Sequence, residues 1–178
     1  MEIKLILVMV TMTISSIAQT FKTERVQKSA TFVVNATVEK AFPLFGPIRE
    51  KEWAAGWEPQ IIYSTNSEIE EHMIFKTTAK HHGESEYTWM VTQFKPKEFF
   101  IEYTVSTSNR IWFINVKCES AGKETKVTVT YRYTGLNELG NQLNKSALEK
   151  MYAENLKDWE EAINYYLATG KQLTINSH

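Results

Sequence analysis

The sequence predicts an α+β domain with a helix-grip fold, in which a curved antiparallel sheet of about seven strands wraps around a long C-terminal helix. Hydrophobic residues alternate with a period of two in six successive segments from Glu58 onward. Helix-like segments precede these strands, and the end of the chain returns to a helical period. No repeat or Pro/Gly-rich linker interrupts residues 19–178, so we expect a single domain there.

A first strand and two short helices come before the alternating segments. Residues 29–35 (SATFVVN) are typical of a strand, and Thr37 can cap the helix that follows. Pro43 limits the length of this helix. A second short helix is predicted from Ile48 to Ala55, with Gly56 at its end.

Six further strands are predicted because each alternating segment is rich in β-branched and aromatic residues. They are EPQIIYS, EHMIFKTTA, SEYTWMVTQF, EFFIEYTVS, RIWFINVKCE and TKVTVTYRYT. Turn-like breaks such as KPKE and SAGKE separate them. Connections this short imply antiparallel neighbours in a meander.

The C-terminal helix is predicted from apolar residues that recur at steps of three and four between Leu143 and Leu167. They form one stripe along a helix of roughly 28 residues, about 42 Å long, which is enough to cross the sheet. Gly170 is the expected end of this helix.

Residues 1–18 have the pattern of a signal peptide. Lys4 precedes an apolar stretch from Leu5 to Ile14, and Ser16 and Ala18 occupy the positions that signal peptidase favours. The stretch spans only about 15 Å as a helix, which is too short for a bilayer. We expect cleavage after Ala18 and export to the periplasm or the medium, without stable membrane insertion afterwards. A hydrophobic first strand is the alternative.

Composition and charge exclude several classes of function. The 178 residues are 43% hydrophobic and 23% charged, with a net charge of −1, as in an ordinary globular protein. Basic residues are dispersed, so we expect no nucleic-acid binding.

Cys118 is the single cysteine, so no disulfide can form within the chain and we expect its thiol to be buried. The scattered histidines suggest neither a metal site nor a cofactor: His72, His81, His82 and His178.

The chain resembles the START-like, or SRPBCC, superfamily in the segments FPLFGPIREKEWAAGWEPQIIYS, YTWMVTQFKPKEF and YYLATG. It is most similar to polyketide-cyclase/dehydrase-like and chaperone-ATPase-activator-like bacterial members, and the likeness covers about Ala30 to Gly170. The pattern PxxExxWxxGWxP, frequent in similar proteins, runs here from Pro47 to Pro59. In one branch a cysteine precedes this proline. Gly46 stands there instead, so thiol chemistry at this point is not expected.

The resemblance implies a cavity for apolar or aromatic small molecules between the sheet and the long helix. Some members of the superfamily are cyclases, hydrolases, lipid carriers or hormone receptors, so the fold alone does not fix the function.

Strand alternation sorts the candidate ligand contacts. Aromatic rings with polar tips suit a cavity that needs apolar walls and a few hydrogen-bonding groups. We therefore predict that the inner face of the sheet carries Trp89, Tyr103, Phe113, Tyr131 and Tyr133, and that Met151 and Trp159 face it from the helix. The alternative is that these rings pack against Met151, Tyr152 and Trp159 and fill the space as solid core.

The mouth of the cavity is predicted to carry Trp53, Trp57 and Glu50. Because Gly56 ends the short helix, one indole can pack inward while the other covers the opening. The Glu50 carboxylate can accept a hydrogen bond from an indole N–H or bind Arg49 or Arg132. The alternative is structural, with the segment holding the short helices against the sheet edge.

The leading functional hypothesis is an exported protein that binds an apolar or aromatic small molecule, lipid or polyketide-like. The runner-up is a cyclase- or hydrolase-type enzyme that uses Glu50 or an inward tyrosine as acid and base. No recognisable catalytic constellation supports a reaction directly. A protein-binding module, by analogy with the chaperone activators, conflicts with export, and the sequence identifies no protein partner.

Overall fold

The computed structural model describes residues 21–66, 68–79 and 84–174, and within them it shows an antiparallel sheet of seven strands. The strands are β1 Arg25–Val34, β2 Gln60–Tyr63, β3 Ile74–Thr78, β4 Glu86–Lys95, β5 Phe100–Ser106, β6 Arg110–Ala121 and β7 Glu124–Gly135. Their order is β1-β7-β6-β5-β4-β3-β2, so β2 to β7 form a meander and β1 pairs with the last strand. This architecture confirms the predicted helix-grip fold class.

Two short helices follow β1, as predicted, although the second ends at Glu50 and does not reach Ala55. Helix α1 spans Val38–Ala41 and continues as a 3₁₀ turn, Phe42–Phe45, while helix α2 spans Pro47–Glu50. Proline at the start of the 3₁₀ turn and of α2 fits there because the first turn of a helix needs no backbone N–H at that position. Turns extend from α2 to Gly56, which has a φ of 76°.

The predicted single C-terminal helix is wrong in one respect, since the structure divides it into α3, Glu138–Met151, and α4, Lys157–Thr169. Between them Asn155 and Leu156 adopt φ values of 52° and 61°. Such left-handed conformations are unfavourable for residues with side chains. Leu156 is nevertheless 1% exposed, so its side chain still enters the core and the apolar stripe continues across the break. The stripe alone therefore could not indicate where the helix stops and restarts. Gly170 ends α4 as predicted.

The face assigned to Phe113 is also wrong. In β6 the buried side chains are Arg110, Trp112, Ile114, Val116 and Cys118, and Phe113 is half-buried on the outer face. The register confirms this, because Trp112 lies opposite Tyr133 while Phe113 lies opposite Arg132. Trp112 and Phe113 are adjacent aromatic residues, so either one could belong to the buried face of an alternating strand. Alternation alone therefore could not show which of them faces inward.

The predicted signal peptide and its cleavage site lie outside the described residues. Within the described part of the chain, no helix combines the length and the apolarity that a membrane crossing requires. Cys118 is buried, as predicted, and burial raises the pKa of its thiol to about 12. The thiol is therefore protonated and unreactive at neutral pH.

Candidate functional site

A pocket of about 580 Å³ lies between the sheet and the C-terminal helices, and we call it the sheet–helix pocket. The sheet contributes Tyr87, Trp89, Arg110, Trp112, Tyr131 and Tyr133 to its wall, and α3 and α4 contribute Ala147, Lys150, Met151, Asp158 and Trp159. Ala153 and Glu154, in the break between the helices, complete the wall. The break thus forms part of the pocket rim, where an unbroken helix was expected.

Five of the predicted contact residues line this pocket, namely Trp89, Tyr131, Tyr133, Met151 and Trp159. Tyr103 is on the same face of the sheet but packs in the core. Its hydroxyl donates to the Phe45 carbonyl at 2.7 Å, and its ring packs edge-on against Phe75. Trp112 and Tyr87 line the pocket although the sequence did not single them out.

Trp53 and Trp57 anchor the short helices rather than line the sheet–helix pocket. Trp53 is 2% exposed, and its indole Nε1 donates to the Leu44 carbonyl at 2.8 Å. Its ring lies 5.5 Å from that of Trp159. Trp57 is half-buried, and its Nε1 donates to the Pro47 carbonyl at 2.8 Å. These contacts favour the structural interpretation of the motif.

We expect Trp53→Phe to destabilise the fold by about 1–2 kcal/mol, because it leaves the buried Leu44 carbonyl without its donor. Urea denaturation followed by far-UV circular dichroism measures this loss. Trp57→Phe removes the same kind of hydrogen bond at a half-buried position, where water can replace the donor, so its loss should be smaller. Equal losses in the two variants would contradict the assigned difference in burial.

Glu50 has none of the three partners predicted for it. Arg49 is paired with Glu52 at 2.8 Å, Arg132 donates to Gln27, and both indoles donate to backbone carbonyls. The Glu50 side chain, half-buried, makes no hydrogen bond or ion pair with any residue that the structure describes. The earlier expectation of a paired carboxylate is therefore wrong.

The pKa of Glu50 is unusual for a carboxyl group, because burial raises it from an ordinary value of 4.5 to about 8. Tyr103 and Tyr131 also have raised pKa values, chiefly from burial, and the charge of Glu50 adds to both effects. The carboxyl group is thus within electrostatic reach of two inner-face phenols. At neutral pH it is mostly protonated, so it adds a hydrogen-bond donor to the interior without a charge.

A buried ion pair lies at one end of the sheet–helix pocket. Arg110 and Glu84 approach to 2.6 Å, with 3% and 1% of their side chains exposed. The Thr107 hydroxyl donates to the same carboxylate at 2.7 Å. Burial alone would raise the pKa of Glu84, but the hydrogen bonds from Arg110 and Thr107 outweigh it and the pKa is lowered.

Aromatic rings enclose the Arg110 guanidinium group. Its central carbon lies 4.8 Å from the centre of the Trp112 ring, 5.5 Å from Tyr133 and 5.9 Å from Tyr87. Cation–π attraction therefore adds to the ion pair. The sequence did indicate this site, because Arg110 and Trp112 are two positions apart in β6 and therefore share a face of the strand. Nothing in the sequence indicated Glu84 as its partner.

A second pocket of about 380 Å³ is lined by residues of the short helices and of β4 and β5. Its wall is mainly apolar and includes Phe42, Ile48, Ile69, Phe94 and Ile101. We place the candidate site in the sheet–helix pocket instead, because that pocket combines an aromatic wall with buried polar groups. No cluster of three or more potential metal ligands occurs among the described residues, which exclude His81, His82 and His178.

Comparisons with solved structures agree with the fold. ZhuI aromatase/cyclase from Streptomyces sp. R1128 has a TM-score of 0.65 at 8% identity, with 84% of this chain and 100% of that chain covered. Truncated norcoclaurine synthase from Thalictrum flavum has a TM-score of 0.61 at 11% identity, with 84% and 97% covered. An uncharacterized protein from Rhizobium leguminosarum has a TM-score of 0.56 at 13% identity, with 79% and 97% covered. At such low identities the likeness establishes the fold alone.

The sequence itself identifies the family. No curated protein is significantly similar to the chain. A family model described as polyketide cyclase / dehydrase and lipid transport matches residues 25–163, which is well over half of the sequence. This family is of the START-like, or SRPBCC, type, so the resemblance found in the sequence is confirmed. The chain belongs to the polyketide cyclase / dehydrase and lipid transport family.

Proposed function

We propose that the chain is a binding protein that holds an apolar or aromatic small molecule, lipid or polyketide-like, in the sheet–helix pocket. The observation that carries this proposal is the pocket of about 580 Å³ with an aromatic wall. Ligand sites in proteins are mostly apolar clefts of about 300–1,000 Å³ with a few polar groups that fix orientation. The family description, which includes lipid transport, supports the same class of ligand.

The size of the pocket limits the ligand. A protein cavity of about 150 Å³ accepts benzene. The sheet–helix pocket, at about 580 Å³, therefore has room for a molecule of several rings or a short acyl chain. Trp89, Trp112 and Tyr131 supply flat surfaces on which such rings can stack.

A pair of neighbouring substitutions tests the location of the ligand. Ala147 is half-buried and lines the pocket, whereas Ser146 is exposed on the same helix. We expect Ala147→Trp to fill the pocket and abolish binding of aromatic and lipid probes, while Ser146→Trp leaves binding intact. Native mass spectrometry and thermal shifts with a panel of such probes measure binding. A ligand present at a concentration of 100 times its Kd raises the free energy of unfolding by about 2.7 kcal/mol, which a thermal shift detects. Absence of binding to the wild type would overturn the proposal.

Export of the protein is the second part of the proposal. The support is the sequence pattern of residues 1–18, with small residues at Ser16 and Ala18. Expression of the full chain in a bacterial host, followed by fractionation and mass measurement, should recover a chain that begins at Gln19 outside the cytoplasm. Recovery of the uncleaved chain in the cytosol would refute export without affecting the ligand-binding proposal.

A cyclase- or hydrolase-type enzyme is the second candidate function, and Glu50 favours it. An unpaired carboxyl with a pKa of about 8 can donate a proton to a carbonyl oxygen and take one from carbon or water near neutral pH. Glu50 is not among the side chains that line the pocket, so this role requires its carboxyl to turn toward the substrate.

Turnover of poly-β-ketone and ester model compounds by wild type and Glu50→Gln tests the enzymatic role. We expect a loss of at least about 100-fold in kcat if Glu50 is the acid and base. The same assays on Glu52→Gln serve as a control, since the Glu52 carboxylate is paired with Arg49. Unchanged turnover in Glu50→Gln would remove Glu50 from any mechanism.

A further inference from the structure

We propose that the hydroxyl groups of Tyr131 and Tyr133 donate hydrogen bonds to an uncharged carbonyl oxygen of the ligand, that of a ketone or an ester. This inference rests on the proposed ligand-binding function and specifies the class of ligand. An aromatic molecule that carries such an oxygen is the occupant that fits the sheet–helix pocket, and a carboxylate of the same size is not.

The two tyrosines belong to a stack of aromatic rings on the inner face of the sheet. Both line the sheet–helix pocket, and they are 5% and 3% exposed. Their ring centres lie 5.9 Å apart, and the two rings are 21° from parallel. Trp112, opposite Tyr133 on β6, continues the stack at 5.2 Å. Contacts between rings therefore hold the two phenols in place without the use of their hydroxyl groups.

The hydroxyl groups of both tyrosines are unpaired and open to the pocket. Neither makes a hydrogen bond with any residue that the structure describes. Within that part of the chain, the buried polar side-chain atoms that are both without a partner and closed to water belong to Arg110 and Asn144. The hydroxyl oxygens of Tyr131 and Tyr133 are not among them, so water reaches both. Because the two residues line the pocket, a molecule inside it can reach these oxygens.

Two neighbouring buried phenols differ, because their hydroxyl groups already have partners. The Tyr103 hydroxyl donates to the Phe45 carbonyl at 2.7 Å, and the Tyr152 hydroxyl donates to the Val129 carbonyl at 3.2 Å. A buried tyrosine hydroxyl usually has such a partner. The two phenols in the pocket wall thus keep unused donors, as expected of the few polar groups that orient a ligand in an apolar site.

Charge decides which ligand oxygen fits. Burial raises the pKa of both phenols, and the charge of Asp158 in the pocket wall adds to the effect on Tyr131. Both hydroxyl groups are therefore protonated at neutral pH and can donate. The burial that disfavours a phenolate also disfavours a carboxylate ligand, and the charge of Arg110 is already balanced by Glu84. A carbonyl oxygen accepts the same hydrogen bonds without bringing a charge into the pocket.

Equilibrium dialysis at pH 7 with 2-acetylnaphthalene, 2-isopropenylnaphthalene and 2-naphthoate tests the proposal, because the first two have the same shape and only the first has a carbonyl oxygen. We expect wild type to bind the ketone about tenfold more tightly than the alkene, and 2-naphthoate more weakly than the ketone. The double variant Tyr131→Phe with Tyr133→Phe should lose the preference and keep its affinity for the alkene. The single variants serve should the double variant not fold.

Tyr152→Phe is the matched control, since it removes a neighbouring hydroxyl group that already has a partner. It should keep the preference for the ketone and lower the urea midpoint, because the Val129 carbonyl loses its donor. The double variant should leave the urea midpoint unchanged or higher, because the hydroxyl groups that it removes have no partner in the protein.

Each other outcome has a distinct meaning. Equal binding of the ketone and the alkene by wild type, or a preference that survives in the double variant, would overturn this inference and leave the proposed function intact. Tightest binding of 2-naphthoate would also overturn it, since the site would then recognise a negative charge. Failure of all three compounds to bind the wild type would count against the proposed function itself.

Discussion

Glu84→Gln should destabilise the folded chain by about 3–5 kcal/mol, because it leaves the Arg110 charge buried without a counter-charge. Both side chains are almost fully buried, with 3% and 1% exposed. The rings of Trp112 and Tyr133 cannot replace the carboxylate, since cation–π attraction is worth only about 0.5–2 kcal/mol. Urea denaturation of wild type and variant at pH 7 gives the difference in free energy of unfolding.

The matched control is Glu119→Gln, which breaks a pair with Lys126 that is about half exposed, at 54% and 52%. Its cost should be below about 1 kcal/mol, because water screens surface charges. Similar costs for the two variants would contradict the assignment of the Glu84–Arg110 pair as buried. Replacement of both partners, Glu84→Leu with Arg110→Met, should recover most of the stability lost in Glu84→Gln.

The stabilising effect of Glu84 should decrease in acid. The pKa of Glu84 is lowered in the folded chain, so its stabilising effect is complete above the ordinary carboxyl pKa and disappears as the pH falls through the folded value. Wild type and Glu84→Gln should therefore differ most near neutral pH and converge in acid.

The fold could be predicted from the sequence because its strands and helices carry strong periodic patterns. Six alternating segments with short breaks allow few arrangements other than a meander, and the structure has that meander. The break between α3 and α4 escaped prediction for a physical reason. Leu156 fills the core in a left-handed conformation, so hydrophobicity continues where the helical backbone does not.

The candidate site was only partly predictable. Tyr131 and Tyr133 could be placed in the pocket because alternation fixes the face of an aromatic residue flanked by polar ones. Phe113 was misplaced because its neighbour Trp112 is also aromatic. The partnership of Arg110 with Glu84 joins the start of β6 to the segment before β4, 26 positions apart, and no local pattern encodes such a contact.

Glu50→Gln should make the protein more stable than wild type in alkali, by about 2–4 kcal/mol at pH 9. The folded chain holds a proton on Glu50 up to a pKa of about 8, whereas the unfolded chain releases it near 4.5. Between these values only the folded state binds the proton, so the stability of wild type falls as the pH rises and becomes constant above about 8. Each pKa unit is worth about 1.4 kcal/mol, and the water that still reaches this half-buried side chain reduces the full value.

Glutamine imitates the protonated carboxyl group and has no pKa in this range, so the variant should lack this part of the pH dependence. At pH 4 both proteins carry a neutral side chain at position 50, and their urea midpoints should agree. Glu52→Gln provides the control of opposite sign. Hydrogen bonding to Arg49 lowers the pKa of Glu52, so this variant should lose stability at pH 9 and little at pH 4.

The sign of the Glu50 effect separates the two interpretations of the motif that contains Glu50, Trp53 and Trp57. If Glu50 is an unpaired, half-buried acid, its removal stabilises the protein at high pH, as expected of a group kept for ligand or reaction at a cost to folding. A carboxylate that anchored the short helices would instead make Glu50→Gln less stable than wild type at pH 9. Both indoles already have backbone acceptors and Arg49 is already paired, so the anchoring function belongs to Trp53, Trp57 and Glu52. Lower stability of Glu50→Gln at pH 9 would therefore also remove the observation on which an enzymatic role for Glu50 depends.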